Sequence, residues 1–302
     1  MLYDVATCQE KYLVKISQSH FHDVRGLRYH VRTWGEPHHP TLFLLHGWMD
    51  VSASFQFLVD AFEREWHVVA PDWRGFGLSE WARDAYWFPD YYADLDAVLS
   101  IYEADSPVLL VGHSMGGNIA GVYAGVRPER IRKLVLLEGL GMPRQNPQTA
   151  PKRLIEWMDA QIEPPRFSAY KSFDELAARL KRNNPRLRDE QAQFLAQHWG
   201  AQNMNGEVEL RSDPRHKARN PYLYRIDEAI ACWRRITAPV LLVTGKDSHI
   251  PAWMKDDAVG IEERKAAYRD LREVELEDCG HMMHHDQPAR LARLIESFLA
   301  ER

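Results

Sequence analysis

Residues 108–117 read Val-Leu-Leu-Val-Gly-His-Ser-Met-Gly-Gly. Four consecutive apolar residues cut off by a glycine are the pattern of a strand buried on both faces. The residues that follow, Asn118–Gly125, have helical spacing. Strand, turn and helix therefore succeed one another within a few residues, with Ser114 at the apex of a G-x-S-x-G turn. A turn this sharp forces its apex residue into a strained backbone conformation. Gly112 and Gly116 are required on this reading, because a Cβ at either place would strike the neighbouring strand or helix. The turn also lifts the Ser114 hydroxyl above the sheet edge. There the helix N-terminus supplies free N–H groups and a partial positive charge.

The same kind of apolar run recurs on both sides of this segment. Thr41–Leu45, His67–Ala70, Lys133–Leu137 and Pro239–Thr244 are short and continuous, so each predicts a fully buried strand. Tyr12–Ser17 and Leu27–Trp34 alternate instead, which predicts two antiparallel, half-exposed strands. Arg272–Leu276 predicts an edge strand. Helical spacing marks Ser54–Arg64, Asp90–Glu103 and Gln287–Ala300. Strands alternating with helices predict an α/β fold, a mostly parallel doubly wound sheet covered on both faces and wound by right-handed crossovers.

One stretch breaks the alternation. Between Met142 and Arg235 no buried-strand run occurs, and helical patterns appear at Lys152–Ile162, Ser172–Asn183, Asp189–His198 and Ile226–Arg235. Prolines punctuate them. The expected organisation is a core of residues 1–141 and 236–302 with a helical cap inserted at 142–235. The insert has more Lys and Arg than Asp and Glu, whereas the remainder is acidic. A solvated helical surface accounts for that excess, and a mild preference for anionic or electron-rich substrates is the sharper reading.

Composition bounds the function. The chain has 302 residues, 45% apolar and 27% charged, which excludes a disordered, collagen-like or coiled-coil protein. With 38 Lys and Arg against 43 Asp and Glu, net charge −5, there is no overall basic face for nucleic acid. No apolar run is long enough for a membrane-spanning helix. The first residues, MLYDVATCQEKYLVK, lack a basic start followed by an apolar block, so no signal peptide is expected. Cys8, Cys232 and Cys279 are too few and too scattered for a disulfide framework or a CxxC metal site, and a reduced, cytoplasmic setting is expected.

The Gly-His-Ser-Met-Gly-Gly turn after a buried strand resembles the nucleophile elbow of the α/β-hydrolase superfamily. Leu45-His46-Gly47-Trp48 resembles that family's His-Gly loop after its third strand. Asp72-Trp73-Arg74-Gly75-Phe76-Gly77-Leu78-Ser79 resembles its D-x-R-G-x-G-x-S loop. Cys279-Gly280-His281, with Asp286 and Pro288, resembles its closing G-H-x-x-x-x-[DE]-x-P segment. The motifs keep the family's chain order from residue 41 to 288, and they specify the superfamily, not a substrate.

The resemblance implies a serine hydrolase with Ser114 as nucleophile and His281 as its base, since a serine needs a neighbouring imidazole at neutral pH. Chain order in the fold is serine, acid, histidine. Asp247 is the acid expected, with Glu138 as the alternative. Asp247, in Gly245-Lys246-Asp247-Ser248-His249-Ile250-Pro251, resembles the family's G-x-x-D-x-x-x-P acid loop, with the glycine-to-aspartate interval one residue shorter. Glu138 follows the strand Lys133–Leu137, a position from which some members supply the acid. The oxyanion donors implied are the backbone N–H groups of Met115 and Trp48. His46 is expected to brace its loop, and Asp72, Arg74, Gly75 and Gly77 to hold a tight turn.

His281 and His285 have the i, i+4 spacing of a helical metal pair, but no HExxH or cysteine pair accompanies them, so no metal is expected. His284 and His285 are read as the start of the last helix. Trp48, Met49, Met142, Trp157 and Met282 are candidate pocket residues for an apolar substrate. The function expected is cofactor-free hydrolysis of a small or medium apolar carboxylic ester through an acyl-enzyme. The same residues would serve cleavage of a thioester, amide, lactone or carbon–carbon bond, or remain in a non-catalytic receptor. A serine at 114 disfavours the aspartate-nucleophile dehalogenases and epoxide hydrolases. Oligomeric state is open.

Overall fold

The computed structural model describes residues 14–254 and 258–301. Its strands, in chain order, are β1 (Ser17–Val24), β2 (Leu27–Trp34), β3 (Thr41–Leu45), β4 (His67–Pro71), β5 (Val108–His113), β6 (Ile131–Leu137), β7 (Gly200–Gln202), β8 (Val208–Leu210), β9 (Val240–Gly245) and β10 (Leu271–Leu276). Its helices are α1 (Gln56–Asp60), α2 (Phe88–Tyr102), α3 (Met115–Val126), α4 (Ala150–Ile162), α5 (Phe173–Asn183), α6 (Asp189–Trp199), α7 (Ile226–Trp233), α8 (Ile250–Trp253), α9 (Ala258–Lys265), α10 (Met283–Asp286) and α11 (Pro288–Ala300).

One sheet runs in the order β1-β2-β4-β3-β5-β6-β9-β10. The β1–β2 and β2–β4 pairs are antiparallel and every later pair is parallel. The mixed, mostly parallel sheet is therefore as expected, with Leu271–Leu276 at its edge. The buried runs divide residue by residue between the two faces, because side chains alternate along a strand. Phe43, Leu45, Leu110, Leu134, Leu136 and Leu242 face one apolar cluster with α2, α3 and α7. Leu42, Leu44, Leu109, Val135, Leu137 and Leu241 face another with α1 and α11.

Two expectations fail here. The first strand is Ser17–Val24, not Tyr12–Ser17. Its register is fixed by a two-residue hairpin at Arg25 and Gly26, with φ of 53° and 79°, which pairs Val24 with Leu27. An arginine in the left-handed region is not a turn signal that spacing reveals. Residues 12 and 13 lie outside the described residues. Second, the insert at 142–235 is not uniform. α5, α6 and β8 share a small apolar cluster of their own around Leu176, Leu180, Leu195 and Val208. By contrast, Ile226, Ala229, Ile230 and Trp233 of α7 are buried in the main core with α3. The short β7–β8 ribbon left no apolar run to read.

The loop after β4 behaves as a brace. The Asp72 carboxylate accepts from the N–H groups of Ser52 (2.6 Å) and Leu78 (2.9 Å) and sits 2.7 Å from His30 Nδ1. Gly77, at φ 58°, leaves the space that this carboxylate fills. Arg74 grips Asp94 of α2 through Nε and Nη2, both at 2.6 Å, and the Tyr29 hydroxyl donates to the same carboxylate. Asp94 is fully buried. Removing Arg74 strips that buried charge of its bidentate partner and leaves it only Arg25 Nη1, at 2.9 Å and half exposed, and the Tyr29 hydroxyl. Arg74→Met should therefore lower the unfolding free energy by about 3 kcal/mol in urea denaturation. A loss under about 1 kcal/mol, the range of an exposed ion pair, would contradict the assignment.

Candidate active site

Ser114 joins β5 to α3 at φ 50° and ψ −113°, the strained conformation expected of the apex. The crowding around it explains its glycines. A Cβ on Gly112 would lie 2.5 Å from the Gly116 carbonyl oxygen, and one on Gly116 would lie 2.7 Å from that of His46. Gly117 and Gly139 meet backbone to backbone, a Cβ on Gly139 falling 2.7 Å from Gly117 Cα. This contact seats the end of β6 beside the elbow. The Ser114 N–H donates to the Leu137 carbonyl at 2.8 Å, and the next residue is Glu138.

Glu138 also has a positive φ, 54°. Its side chain is 1% exposed, and Oε2 lies 2.5 Å from His281 Nδ1. The carboxylate is held from behind by the Gly245 N–H on Oε1 (3.0 Å) and the Ser248 hydroxyl on Oε2 (2.8 Å). Asp247 is elsewhere. It is half exposed, 2.7 Å from Arg186 in the α5–α6 connection. This corrects the preference for Asp247 beside His281, and the shortened motif gives the reason. Three residues after Gly245, where the family pattern puts its acid, stands Ser248, and its hydroxyl holds the carboxylate that β6 supplies.

The loop after β3 closes on the same point. A Cβ on Gly47 would lie 3.3 Å from Ser114 Cβ, so the chain at Gly47-Trp48 runs directly over the nucleophile. His46 is fully buried and braces that loop: Nε2 accepts from the Trp73 N–H at 2.9 Å, and Nδ1 donates to the Gly47 carbonyl at 2.7 Å. Met115 opens α3, so its N–H is among those a helix leaves without intrahelical partners.

Ser114, Glu138 and His281 line one cavity of about 920 Å³. Trp48, Met142 and Trp157 line it, with Tyr86, Trp87, Phe88, Tyr91 and Trp253. Met49 and Met282 do not. Met49 turns at φ 57° and packs against the main core, and Met282 caps the short helix α10. Trp157 comes from α4, which is held by Arg153 Nη2 on the carbonyls of Asn220 (2.6 Å) and Tyr222 (2.7 Å). Arg83, from the β4–α2 connection, and Arg215 and Arg219, from the insert, also line the cavity. His281 precedes α10 and His285 lies within it, so the two share no helix face, and α11 begins only at Pro288. Of the cysteines, Cys279 is buried, with its thiol pushed up to about 12 by burial, and Cys232 is part-buried and does not line this cavity. Cys8 lies outside the described residues.

Sequence reasoning missed Ser248, Asn118 and His249. Asn118 lines the cavity and fixes the wall by accepting from the Gly141 N–H at 2.7 Å. His249 has its ring 5.0 Å from that of His281. Only the neighbourhood of Ser248 and His249 to the acid motif could have singled them out.

A family model described as alpha/beta hydrolase fold matches residues 40–288. A serine hydrolase-like protein of Danio rerio is 28% identical over 89% of this chain and 84% of its own length. A 3-hydroxybutyrate-oligomer hydrolase of Cupriavidus necator is 30% identical over 86% of this chain and 88% of its own. Among solved structures, a thioesterase domain from the curacin biosynthetic pathway superposes with a TM-score of 0.80 at 27% identity, covering 93% of this chain and 99% of that one.

His216 forms part of the cavity wall, its ring stacked 3.9 Å from Phe76 and tilted 3.7 Å from Tyr86. Burial pushes its pKa down to about 3, so it stays neutral in the fold. An unfolded histidine takes a proton below about pH 6.5, and the folded one resists it. Its contribution is thus complete above about pH 6.5 and falls away as the medium is acidified, by about 2 kcal/mol at pH 5. His216→Phe should therefore lose less unfolding free energy than the wild type between pH 7.5 and pH 5 in urea titrations. Equal losses would contradict the burial argument. The glycine-crowded elbow, the family match across residues 40–288 and the fold agree, and this chain belongs to the α/β-hydrolase family.

Proposed function

We propose that the protein is a serine carboxylesterase acting on small or medium apolar acyl esters, with Ser114, His281 and Glu138 as its triad. The observation that carries this reading is the 2.5 Å contact of the Glu138 carboxylate with His281 Nδ1, on a cavity that Ser114 also lines. That contact leaves the other ring nitrogen, Nε2, to accept a proton.

In the proposed cycle His281 Nε2 takes the Ser114 proton as Oγ attacks the ester carbonyl. Glu138 orients the imidazole and stabilises it when charged. The Met115 and Trp48 N–H groups receive the developing oxyanion, each worth about 2.7–4 kcal/mol of transition-state stabilisation. His281 then protonates the departing alcohol, and a water molecule, deprotonated by His281, releases the acid from the acyl-enzyme. Residues 142–225 serve as a cap that supplies Trp157, Arg215 and Arg219 to the cavity wall. The aromatic lining favours an apolar acyl or alcohol group. The 3-hydroxybutyrate-oligomer hydrolase relative supports a substrate built of short hydroxy-acid units.

Turnover of p-nitrophenyl acetate and butyrate tests the reading. Ser114→Ala should lower kcat on the order of 10⁶-fold. Glu138→Gln should lower it about 10⁴-fold, whereas Asp247→Asn should stay within a few-fold of wild type. A fully active Ser114→Ala would end the proposal, and the reverse order of the two acid variants would return the role to Asp247.

A further inference from the structure

Three side chains from separate parts of the chain meet behind His281. Asp50 comes from the loop after β3, His113 from the end of β5 and His284 from α10. None is more than 1% exposed. One ligand atom from each lies within 4.8 Å of the other two, and Asp50 Oδ2 stands 3.6 Å from His284 Nε2. Among the described residues, His113 Nδ1 and His284 Nδ1 have no hydrogen-bond partner, and Asp50 Oδ2 and His284 Nε2 have only each other, beyond hydrogen-bond distance. Buried polar atoms are rarely left in that state, so several at one point call for an occupant.

The partners that do exist say what the occupant must be. Asp50 Oδ1 accepts from the Val51 N–H and the Ser54 hydroxyl, which fixes the carboxylate with Oδ2 aimed into the cluster. His113 Nε2 lies 2.9 Å from the carbonyl oxygen of His281. A carbonyl only accepts, so Nε2 carries the proton and Nδ1 presents a lone pair. A ring N–H on a backbone carbonyl is the usual outer support of a metal-bound histidine. A carboxylate oxygen and two imidazoles form a donor set for zinc and similar divalent ions. Two ligand atoms on a tetrahedral zinc stand about 3.4 Å apart, and Asp50 Oδ2 and His284 Nε2 stand 3.6 Å apart.

We propose that Asp50, His113 and His284 bind a divalent transition-metal ion of the zinc type. The site differs from the one proposed for ester hydrolysis and is independent of that reading. It stands against the absence of a metal expected from the sequence, where the three ligands lie far apart and match no metal motif. Because His113 holds the His281 carbonyl, an ion on Nδ1 would stiffen the segment that carries His281.

The test uses the full chain, treated with a chelator, dialysed, and then exposed to zinc chloride before gel filtration. Metal analysis should find one equivalent retained, and the thermal midpoint should rise. Cobalt(II) in its place should give the visible absorption of a low-symmetry nitrogen and oxygen site. His284→Gln and Asp50→Asn, each checked for cooperative urea unfolding, should retain at least tenfold less zinc. Should neither variant fold, the wild-type stoichiometry and the cobalt spectrum decide. Absence of zinc from the wild type, equal retention by folded variants, a cobalt spectrum of the hydrated ion, or a water molecule at that point in a crystal grown with zinc would each overturn the proposal.

Discussion

The site depends on one steric constraint: the backbone at Ser114 stays in a conformation that a serine avoids. Isolated, a residue at φ 50° and ψ −113° costs on the order of 1–3 kcal/mol. Three facts over-determine it. β5 is buried on both sides and cannot shift, α3 must begin at Met115 to cover the sheet, and the glycines on either side permit carbonyl contacts that any side chain would block. The Ser114 N–H bond to Leu137 and the Gly117–Gly139 contact then tie this turn to the end of β6. Glu138 is brought to His281 by the same packing that bends Ser114.

How far the sequence could be read follows from what each feature demands. Continuous apolar runs such as Thr41–Leu45 announce their burial, and the observed strand has those bounds. The glycines at 112 and 116 announce close approach, which the carbonyl contacts bear out. The acid was not legible to the same degree. Whether Asp247 or Glu138 faces His281 is decided by one residue of loop length, and a one-residue shift replaces a carboxylate by the Ser248 hydroxyl. The Arg25-Gly26 hairpin was hidden because arginine gives no sign of a positive φ. The helix α7 was legible, but its packing on the main core was hidden because its helical period is the same whether it covers a cap or the sheet.

The carboxylates left aside by His281 have work in the fold. Asp247 pairs with Arg186, and Asp286 accepts from Asn184 at 2.7 Å and from the Gly280 N–H at 2.8 Å. Both fasten the α5–α6 connection to the loops that carry Ser248 and His281. The opposite end of the insert is different in character. α4 buries Arg153 alone and leaves Leu154, Ile155, Met158 and Ile162 exposed, with Trp157 facing the cavity. A helix held by few buried apolar contacts opens at lower cost than the core beneath it. The insert is thus tied firmly next to Ser248 and His281 and loosely over the aromatic wall.

Covalent capture tests the reading of Ser114 as an activated nucleophile without knowledge of the natural substrate. Incubation with a fluorophosphonate, followed by intact-protein mass spectrometry and peptide mapping, should show one adduct per chain on Ser114. An unmodified chain, or an adduct confined to another residue, would contradict it.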